Sequence, residues 1–358
     1  MARVLIVDDE RKLRRAFVLF LREDDHDIES AANLDEALAA LERGIEAGQP
    51  FDVVVTDTLP EDAGLSLMRT VGERWPELEL ILATDERGLE SAISAVRGGA
   101  HSYLSKPVTA TMLRRAVAAA ASSKAEREAE QARIEAKERE CEALTNLLDS
   151  QGLEFEELCM ELAEFGIDRA PPSLPKLEPE PMSEPPKANR ILVVDDERTL
   201  RRVFSMFLGD DGFEVETADN VNEGIAAIEK NNADGTPFGI VVSDICMPGR
   251  DGTALMKEVA ERWPEIKMIV VTGEPTVETA TLAVQTRAYE YMYKPVSSWL
   301  IRKVVANALV AKAAEDEQRR EVAALDHRLA YLGQHVEARK LEMVEIREQL
   351  AAAAAAEH

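Results

Sequence analysis

The sequence predicts an α/β protein with two parallel β-sheets, each built from five strands that alternate with five helices. Two observations lead to this expectation: a long internal repeat, and, within each copy, short apolar runs that alternate with segments of helical period. Parallel strands need helical crossovers, and these cover both faces of the sheet. A chain of 358 residues, 46% of them apolar, is long enough for two such domains and their connections.

The repeat is visible in three separate stretches. "VLIVDDERKLRRAFVLFL" from residue 4 returns as "ILVVDDERTLRRVFSMFL" from residue 191, an offset of 187. "ERWPELELILATDE" returns as "ERWPEIKMIVVTGE", and "YLSKPV" as "YMYKPV", now at an offset of 188, so one residue is missing from the first copy just after Asp57. We therefore predict domains at residues 1–121 and 189–310, called the first repeat and the second repeat below.

The elements of the first repeat follow from hydrophobic period and turn residues. The predicted strands are residues 3–7, 27–31, 52–57, 78–84 and 101–105, and the predicted helices lie near 11–23, 33–47, 64–74, 87–97 and from 110 onward. Ligands of such sheets bind outside the carboxyl ends of the strands, which is where we look for a site.

Each fifth helix is expected to continue into a coiled coil, over residues 122–168 after the first repeat and 311–358 after the second. Apolar residues recur every seven positions, at Ile134, Cys141, Leu148, Phe155 and Leu162 and at Val322, Leu329, Val336, Met343 and Leu350. Gly152 is expected to break or kink the first coil. Residues 169–188 hold seven prolines and predict an extended linker. Such seams need a partner helix, either in a homodimer or within the chain.

Composition excludes several classes of partner. The formal charge is −26, with 68 acidic against 42 basic residues, which disfavours binding to nucleic acid or to anionic membranes. Three scattered cysteines without metal-ligand spacing favour a reducing, cytoplasmic location. No apolar run approaches the length that spans a bilayer.

Acidic, hydroxyl and amino side chains recur where the predicted strands end: an acid pair, a single acid, a threonine and a lysine before proline. These residues are Asp8, Asp9, Asp57, Thr84 and Lys106 in the first repeat and Asp195, Asp196, Asp244, Thr272 and Lys294 in the second. Three converging carboxylates repel one another unless a hard cation lies among them, and Mg²⁺ is the natural candidate. The lysine and the threonine then suit an anion, for which a phosphoryl group fits.

An acid pair after a strand can also be a simple helix cap, here "DDE" before the first helix. The same five positions occur in order, at strand ends, twice in one chain. This recurrence favours a site over a cap.

On these residues both repeats resemble the response-regulator receiver domains of bacterial two-component signalling. The resemblance implies a flavodoxin-like fold and phosphoryl transfer from a histidine kinase or phosphotransfer protein to the aspartate after the third strand. It implies that Asp244 is the phosphoacceptor and Asp196 a direct Mg²⁺ ligand. Asp195 would be a water-mediated companion, and the backbone carbonyl of Cys246 a further ligand.

The resemblance also assigns the remaining strand-end residues. Thr272 and Lys294 would hold the phosphoryl group, and Tyr291 would be the switch aromatic whose rotamer follows Thr272. The matching residues of the first repeat are Asp57, Asp9, Asp8, Thr84, Lys106 and Tyr103. Such a domain promotes only its own phosphorylation and dephosphorylation, so no enzymatic turnover of a separate substrate is expected.

The two repeats differ at this predicted site. The second has "DICMPG" and a small Gly273 after its threonine, whereas the first has the shorter "DTLP" and Asp85 in place of that glycine. A carboxylate beside an incoming phosphoryl group opposes it. We therefore expect the first repeat to phosphorylate poorly or to act as a binding module.

No segment predicts an output domain of obvious type, because the coils lack the basic surface and recognition helix of a helix-turn-helix. The long helices are either stalks that fix a homodimer or elements whose pairing changes when phosphorylation rearranges the fourth and fifth helices. His327 and His335 lack the pattern of a phosphotransfer histidine. Two functions stay open: a regulator that signals to an unknown downstream protein, and a phosphate sink or scaffold for a kinase shared with another regulator.

Overall fold

A computed structural model describes residues 2–24, 26–57, 63–84, 89–165, 167, 169 and 190–356, with the side chains of 63–65 and 356 excepted. The chain divides into two compact units. The first comprises Met1–Glu126 and Glu184–Ala313, and the second comprises Arg127–Ser183 and Ala314–His358. The predicted linker and the predicted "DTLP" loop lie almost wholly outside the described residues, as does Asp85.

Each repeat forms one parallel five-stranded sheet with helical crossovers, as predicted. The first repeat contains β1 (Arg3–Val7), α1 (Arg11–Leu21), a 3₁₀ turn (Arg22–Asp24), β2 (Asp27–Ala31), α2 (Leu34–Glu46), β3 (Val53–Thr56), α3 (Ala63–Arg74), β4 (Glu79–Thr84), α4 (Leu89–Arg97), β5 (Ser102–Ser105) and α5 (Ala110–Glu164). The second contains β6 (Arg190–Val194), α6 (Arg198–Asp210), β7 (Glu214–Ala218), α7 (Val221–Ala233), β8 (Ile240–Ser243), α8 (Gly252–Arg262), β9 (Lys267–Thr272), α9 (Val277–Gln285), β10 (Glu290–Tyr293) and α10 (Ser298–Ala356).

The strand order places the first and third strands of each repeat at the centre of its sheet. The order is β2-β1-β3-β4-β5 in the first repeat and β10-β9-β8-β6-β7 in the second, which is the same order read from the other edge. The central strands β3 and β8 are buried along their whole length, since helices cover both faces. A continuous apolar run leads straight into each strand-end acid for this reason. The second strand of each repeat lies on one side of the first strand and the third lies on the other side. A crevice therefore opens at the carboxyl ends of β1 and β3, and of β6 and β8.

The two long helices pair with each other within the second unit, in parallel orientation. Lys137 Nζ lies 2.7 Å from Asp326 Oδ1, and further along both helices Arg347 pairs with Glu154. Two apolar clusters fill the seam and contain most of the predicted heptad residues: Cys141, Leu144, Leu148, Leu325, Leu329, Leu332 and Val336 in one, and Phe155, Leu158, Leu162, Met343, Ile346 and Leu350 in the other. The seams that required a partner helix therefore find one in the same chain.

The expected break at Gly152 is wrong, because α5 continues through it to Glu164. A glycine inside a helix costs only about 1 kcal/mol relative to alanine. The flanking residues Leu148 and Phe155 are both buried in the seam, and burying one such side chain contributes about 1.5–3 kcal/mol. Packing therefore outweighs the local preference.

Candidate functional site

A lysine and two buried acids form the centre of the site in the second repeat. Lys294 Nζ lies 2.8 Å from Asp195 Oδ2 and 2.7 Å from Asp244 Oδ2. Asp195 follows β6, Asp244 follows β8 and Lys294 follows β10, so three strand ends supply the three groups. The Asp195 and Asp244 side chains are 3% and 5% exposed and the Lys294 side chain 14%, which keeps these charges largely out of water.

Backbone donors fix the orientation of both carboxylates. Asp195 Oδ1 accepts a hydrogen bond from the backbone N–H of Glu197 at 2.8 Å. Asp244 Oδ1 accepts from the N–H groups of Ile245 at 2.6 Å and Cys246 at 3.1 Å. In each acid one oxygen is thus held by the backbone while the other faces Lys294. The Asp244 carboxylate therefore has a fixed orientation.

Asp196 completes a cluster of three carboxylates. One oxygen atom from each of Asp195, Asp196 and Asp244 lies within 4.8 Å of the others, and Asp196 is exposed while the other two are buried. Hard oxygen ligands at this separation suit Mg²⁺. The exposed acid at the rim leaves a route by which a hydrated ion can enter. The carboxylates of residues 196 and 244 are therefore close enough to share one cation.

Cys246, whose backbone N–H binds the Asp244 carboxylate, also contacts Thr272 through its side chain. Thr272 is fully buried at the end of β9, and its Oγ1 accepts a hydrogen bond from the backbone N–H of Glu274 at 3.2 Å. The Cys246 Sγ atom lies 3.6 Å from Thr272 Oγ1. Among the described residues, the hydrogen bonds of Thr272 Oγ1 are to a backbone donor and a thiol, so its hydroxyl proton can turn to an oxygen atom placed beside it.

Tyr291 is buried behind this threonine. The side chain is completely inaccessible, and its hydroxyl lies 2.7 Å from Thr279 Oγ1 on α9. Burial raises the pKa of Tyr291, so the phenol stays protonated and can keep this bond at neutral pH. The predicted switch aromatic is thus tied to the helix that follows Thr272.

The strand ends of the first repeat bring together the equivalent lysine and acidic residues. Lys106 Nζ lies 2.9 Å from Asp8 Oδ2 and 2.7 Å from Asp57 Oδ2, and Asp9 completes the acid cluster. Thr84 is fully buried at the end of β4. The Tyr103 hydroxyl lies 3.1 Å from Ser91 Oγ on α4. In both repeats the lysine precedes a proline across a cis peptide bond.

Burial and charge act in opposite directions on these groups. Burial raises the pKa of Asp195, and of Asp8, even though the neighbouring lysine works against it. Burial lowers the pKa of Lys294, but its hydrogen bonds to the two carboxylates outweigh this and raise the pKa above the usual lysine value. Lys294 therefore stays charged at neutral pH. A buried carboxylate whose ionised form is disfavoured is stabilised by a further cation.

The sequence patterns missed several residues that hold the site. The side chain of Arg201 donates to the backbone carbonyl of Asp195 at 2.6 Å, and Arg14 donates to that of Asp8 at 2.5 Å. Gly252 lies so close to the Asp244 backbone that an added Cβ would be 2.0 Å from the Asp244 carbonyl oxygen. Both copies of "LRR" and the glycine after "GRD" were visible in the sequence, but nothing in their spacing identifies a contact to a strand end.

Comparison with known proteins agrees with this geometry. The family of response regulator receiver domains matches residues 4–118 and 191–306, which is more than half of the chain. The chain belongs to this family. Both repeats are therefore receiver domains, and the predicted fold class is confirmed: two parallel-sheet α/β domains whose fifth helices continue as long helices.

Similar proteins include several regulators that are longer than the matched region. The chain is 33% identical over 135 residues to the C4-dicarboxylate transport transcriptional regulatory protein DctD of Rhizobium meliloti, which covers 38% of this chain and 26% of that protein. It is 37% identical over 119 residues to the response regulator protein PilR of Pseudomonas aeruginosa, covering 33% and 26%. The chain thus aligns with about a quarter of the length of these relatives.

Among solved structures, the CheY-like receiver domain protein from Methanospirillum hungatei is 30% identical, with a TM-score of 0.33 over 35% of this chain and 97% of that one. A beryllofluoride-activated NtrC4 receiver domain dimer is also 30% identical, with a TM-score of 0.31 over 35% of this chain and 98% of that one.

Within the described residues, no helix combines the length and the apolar character that crossing a bilayer requires.

Proposed function

We propose that the second repeat accepts a phosphoryl group on Asp244 from the phosphohistidine of a histidine kinase or phosphotransfer protein. The observation that carries this proposal is the position of Lys294, whose ammonium group lies within hydrogen-bond distance of both Asp195 and Asp244. An ammonium group held beside a fixed carboxylate neutralises the charge of an incoming phosphoryl group. The Asp244 carboxylate attacks phosphorus, and the bond from phosphorus to the histidine nitrogen breaks.

The donor set fits Mg²⁺. Asp195, Asp196 and Asp244 would hold the ion, with the backbone carbonyl of Cys246 as a further ligand. When bound, Mg²⁺ supplies positive charge to the phosphoryl oxygens. Thr272 would donate its hydroxyl proton to one of these oxygens, and Lys294 would turn from Asp244 to another. In the return step water attacks phosphorus, the bond from phosphorus to the Asp244 oxygen breaks, and inorganic phosphate leaves, which restores the Asp244 carboxylate.

Asp57 in the first repeat lies close to Lys106, Asp8 and Asp9, which are equivalent to the lysine and the acid pair around Asp244. We propose the two aspartates as phosphoacceptors of unequal reactivity. The sequence difference after Asp57 and at residue 85 supports slower reaction at the first site. The test is labelling with a radioactive small-molecule phosphodonor in Mg²⁺, using Asp57→Asn and Asp244→Asn. We expect most of the label to be lost in Asp244→Asn only. Equal labelling of the two single variants would contradict this asymmetry.

We further propose that the output is a protein contact and not DNA binding. The net charge of −26 supports this, because DNA binding relies on clustered basic residues. Relatives such as DctD are transcriptional regulators, but the chain aligns with only 26% of that protein. A salt-dependent mobility shift with generic duplex DNA tests the proposal. We expect no binding at physiological salt; binding that weakens steeply with salt would overturn the proposal.

The alternative function is a phosphate sink that drains a shared kinase. A sink needs fast loss of phosphate and no change in assembly. The discriminating measurements are the lifetime of the labelled Asp244 and the sedimentation of the chain with and without beryllium fluoride. A changed sedimentation coefficient favours the regulator; rapid loss of label with unchanged sedimentation favours the sink.

A homodimer stays a prediction, and the pairing of α5 with α10 within the chain weakens its support. Sedimentation of the full chain against a chain ended at residue 315 tests whether the tail contributes. A cytoplasmic location and the downstream partner likewise stay predictions.

A further inference from the structure

The fourth helices of the two repeats pack against each other inside the first compact unit. α4 contacts α9, and each helix also contacts the last strand of the other repeat: α4 lies on β10 and α9 lies on β5. One continuous apolar cluster contains buried residues of both repeats, among them Ile93 and Val96 of α4 and Ala283 and Val284 of α9. The same faces of the two receiver domains are thus covered by one another.

Among the described residues, two side-chain hydrogen bonds cross this interface, and neither is repeated at the equivalent positions of the other repeat. Arg97 Nε donates to Glu290 Oε1 at 2.8 Å, and Arg287 Nη2 donates to Ser123 Oγ on α5 at 2.7 Å. The positions equivalent to Arg97 and Glu290 are Gln285 and Ser102, which are not an ion pair. The contact is therefore built from residues that differ between the copies.

Arg287 gives separate evidence that the contact is a built feature. Its φ is +53°, and it is the only non-glycine residue with a positive φ among the residues that the structure describes. The equivalent position in the first repeat is Gly99, with φ +66°. A residue with a side chain disfavours this backbone conformation. The second repeat carries an arginine there, and its guanidinium reaches the first repeat.

The interface helix α9 connects directly to the second site. Only residues 273–276 separate Thr272 from the start of α9. Thr279 Oγ1 holds the Tyr291 hydroxyl at 2.7 Å and also accepts from the backbone N–H of Thr276 at 3.2 Å in the cap of α9. Thr272, through a short connection, and Tyr291, through a hydrogen bond, are thus both linked to the first turn of α9.

The first turn of α9 lies beside the strand-end site of the first repeat, which contains Lys106. Val277 and Glu278 line a groove together with Ser105, Lys106 and Pro107 of the first repeat. Lys106 is the lysine that bonds Asp8 and Asp57. The chain of contacts thus runs from the Thr272 end of β9, through α9, to the end of β5.

We propose that the first repeat is the in-chain partner of the second. Loading of the Asp244 site changes the packing of α9 on α4 and β5, and this alters α4 and β5 of the first repeat. The inference rests on the proposed phosphorylation of Asp244. It gives the first repeat a role that does not require Asp57 to react. A ligand shifts such an equilibrium only through a different affinity for the two arrangements, and α9 is the element that both sites contact.

The test uses the full chain with Asp57→Asn, so that only the second site can load, with beryllium fluoride and Mg²⁺ as the probe. Fluorine NMR reports loading of the Asp244 site, and hydrogen exchange with mass spectrometry reports peptides that cover residues 89–105 of the first repeat. We expect loading to change the exchange rate of these peptides by at least about threefold. A loaded site with a smaller change would overturn the inference.

A matched variant adds Arg97→Gln and Arg287→Gly to this chain. Arg287→Gly removes the bond to Ser123 and relieves the left-handed backbone, so the second repeat should fold as before. We expect this variant to load normally and to show a smaller exchange change at residues 89–105. An undiminished change would contradict the path through these contacts. Absence of a fluorine signal at the second site would instead refute the proposed function, so the two failures are distinct.

Discussion

Replacement of Gly252 by alanine tests how closely the backbone of the second repeat supports Asp244. An added Cβ would lie 2.0 Å from the Asp244 carbonyl oxygen and 2.8 Å from the Ile245 Cα. The optimum separation of such atoms is about 3.5 Å, so the backbone must move by more than about 1 Å. Overpacking typically costs about 1–3 kcal/mol, and we expect about 3 kcal/mol here because both neighbouring atoms belong to the backbone and cannot rotate away.

The same displacement moves the proposed nucleophile. A misplacement of about 1 Å can lower a rate by about 100-fold, so phosphorylation of Gly252→Ala should fall by this order. The assays are urea denaturation followed by tryptophan fluorescence, and labelling from a small-molecule phosphodonor. Gly273→Ala is the matched control, because its Cβ would meet only Lys294 Cδ at 3.8 Å, an ordinary contact. If Gly252→Ala matches the wild type in both stability and labelling, the reasoning from this close approach is refuted.

Three further substitutions test the energetics of the fold. Burial raises the pKa of Asp195, so folding favours its protonated form, and the free energy of unfolding should fall as the pH rises from the usual aspartate range through that raised pKa. Asp195→Asn should abolish this part of the pH dependence in urea melts in chelator, and an unchanged pH dependence would contradict it. Lys124 is buried and donates hydrogen bonds to the Phe51 carbonyl at 3.0 Å and to Asp52 Oδ1 at 2.8 Å. Lys124→Met should therefore lower the free energy of unfolding by about 2 kcal/mol in the same urea melts. A loss below about 0.5 kcal/mol would show that water replaces both bonds. The Gln151 Oε1 atom is buried without a hydrogen-bond partner among the described residues. Gln151→Leu should therefore raise the free energy of unfolding of the coil, followed by circular dichroism, by about 1 kcal/mol. A variant less stable than the wild type would mean that this oxygen is hydrogen-bonded in solution.

The sheets and the grouping of the strand-end residues could be predicted because they depend on local signals. A buried parallel strand reads as an apolar run, and the residue after it must reach the crevice; Asp57 and Asp244 show this directly. The internal repeat then separated a site from a single helix cap, because chance does not place the same five groups at equivalent strand ends twice.

Contacts between residues distant in sequence could not be predicted in the same way. The pairing of α5 with α10 within one chain depends on the position of two helix starts that lie 188 residues apart, which heptads do not encode. Gly152 was read from its local preference, whereas the packing of Phe155 decides the outcome. The approach of Gly252 to the Asp244 carbonyl is likewise a tertiary contact with no sequence period.

The most direct test of the central claim measures phosphorylation of the full chain by a small-molecule phosphodonor as a function of Mg²⁺, with the modified residue mapped by mass spectrometry. We expect the modification to lie on Asp244 and to disappear in chelator. Asp196→Asn should require far more Mg²⁺ to restore it, because Asp196 belongs to the same carboxylate cluster. Modification of Asp244 that is equally fast in chelator, or modification confined to another residue, would contradict the claim that these acids form a magnesium-dependent phosphoacceptor site.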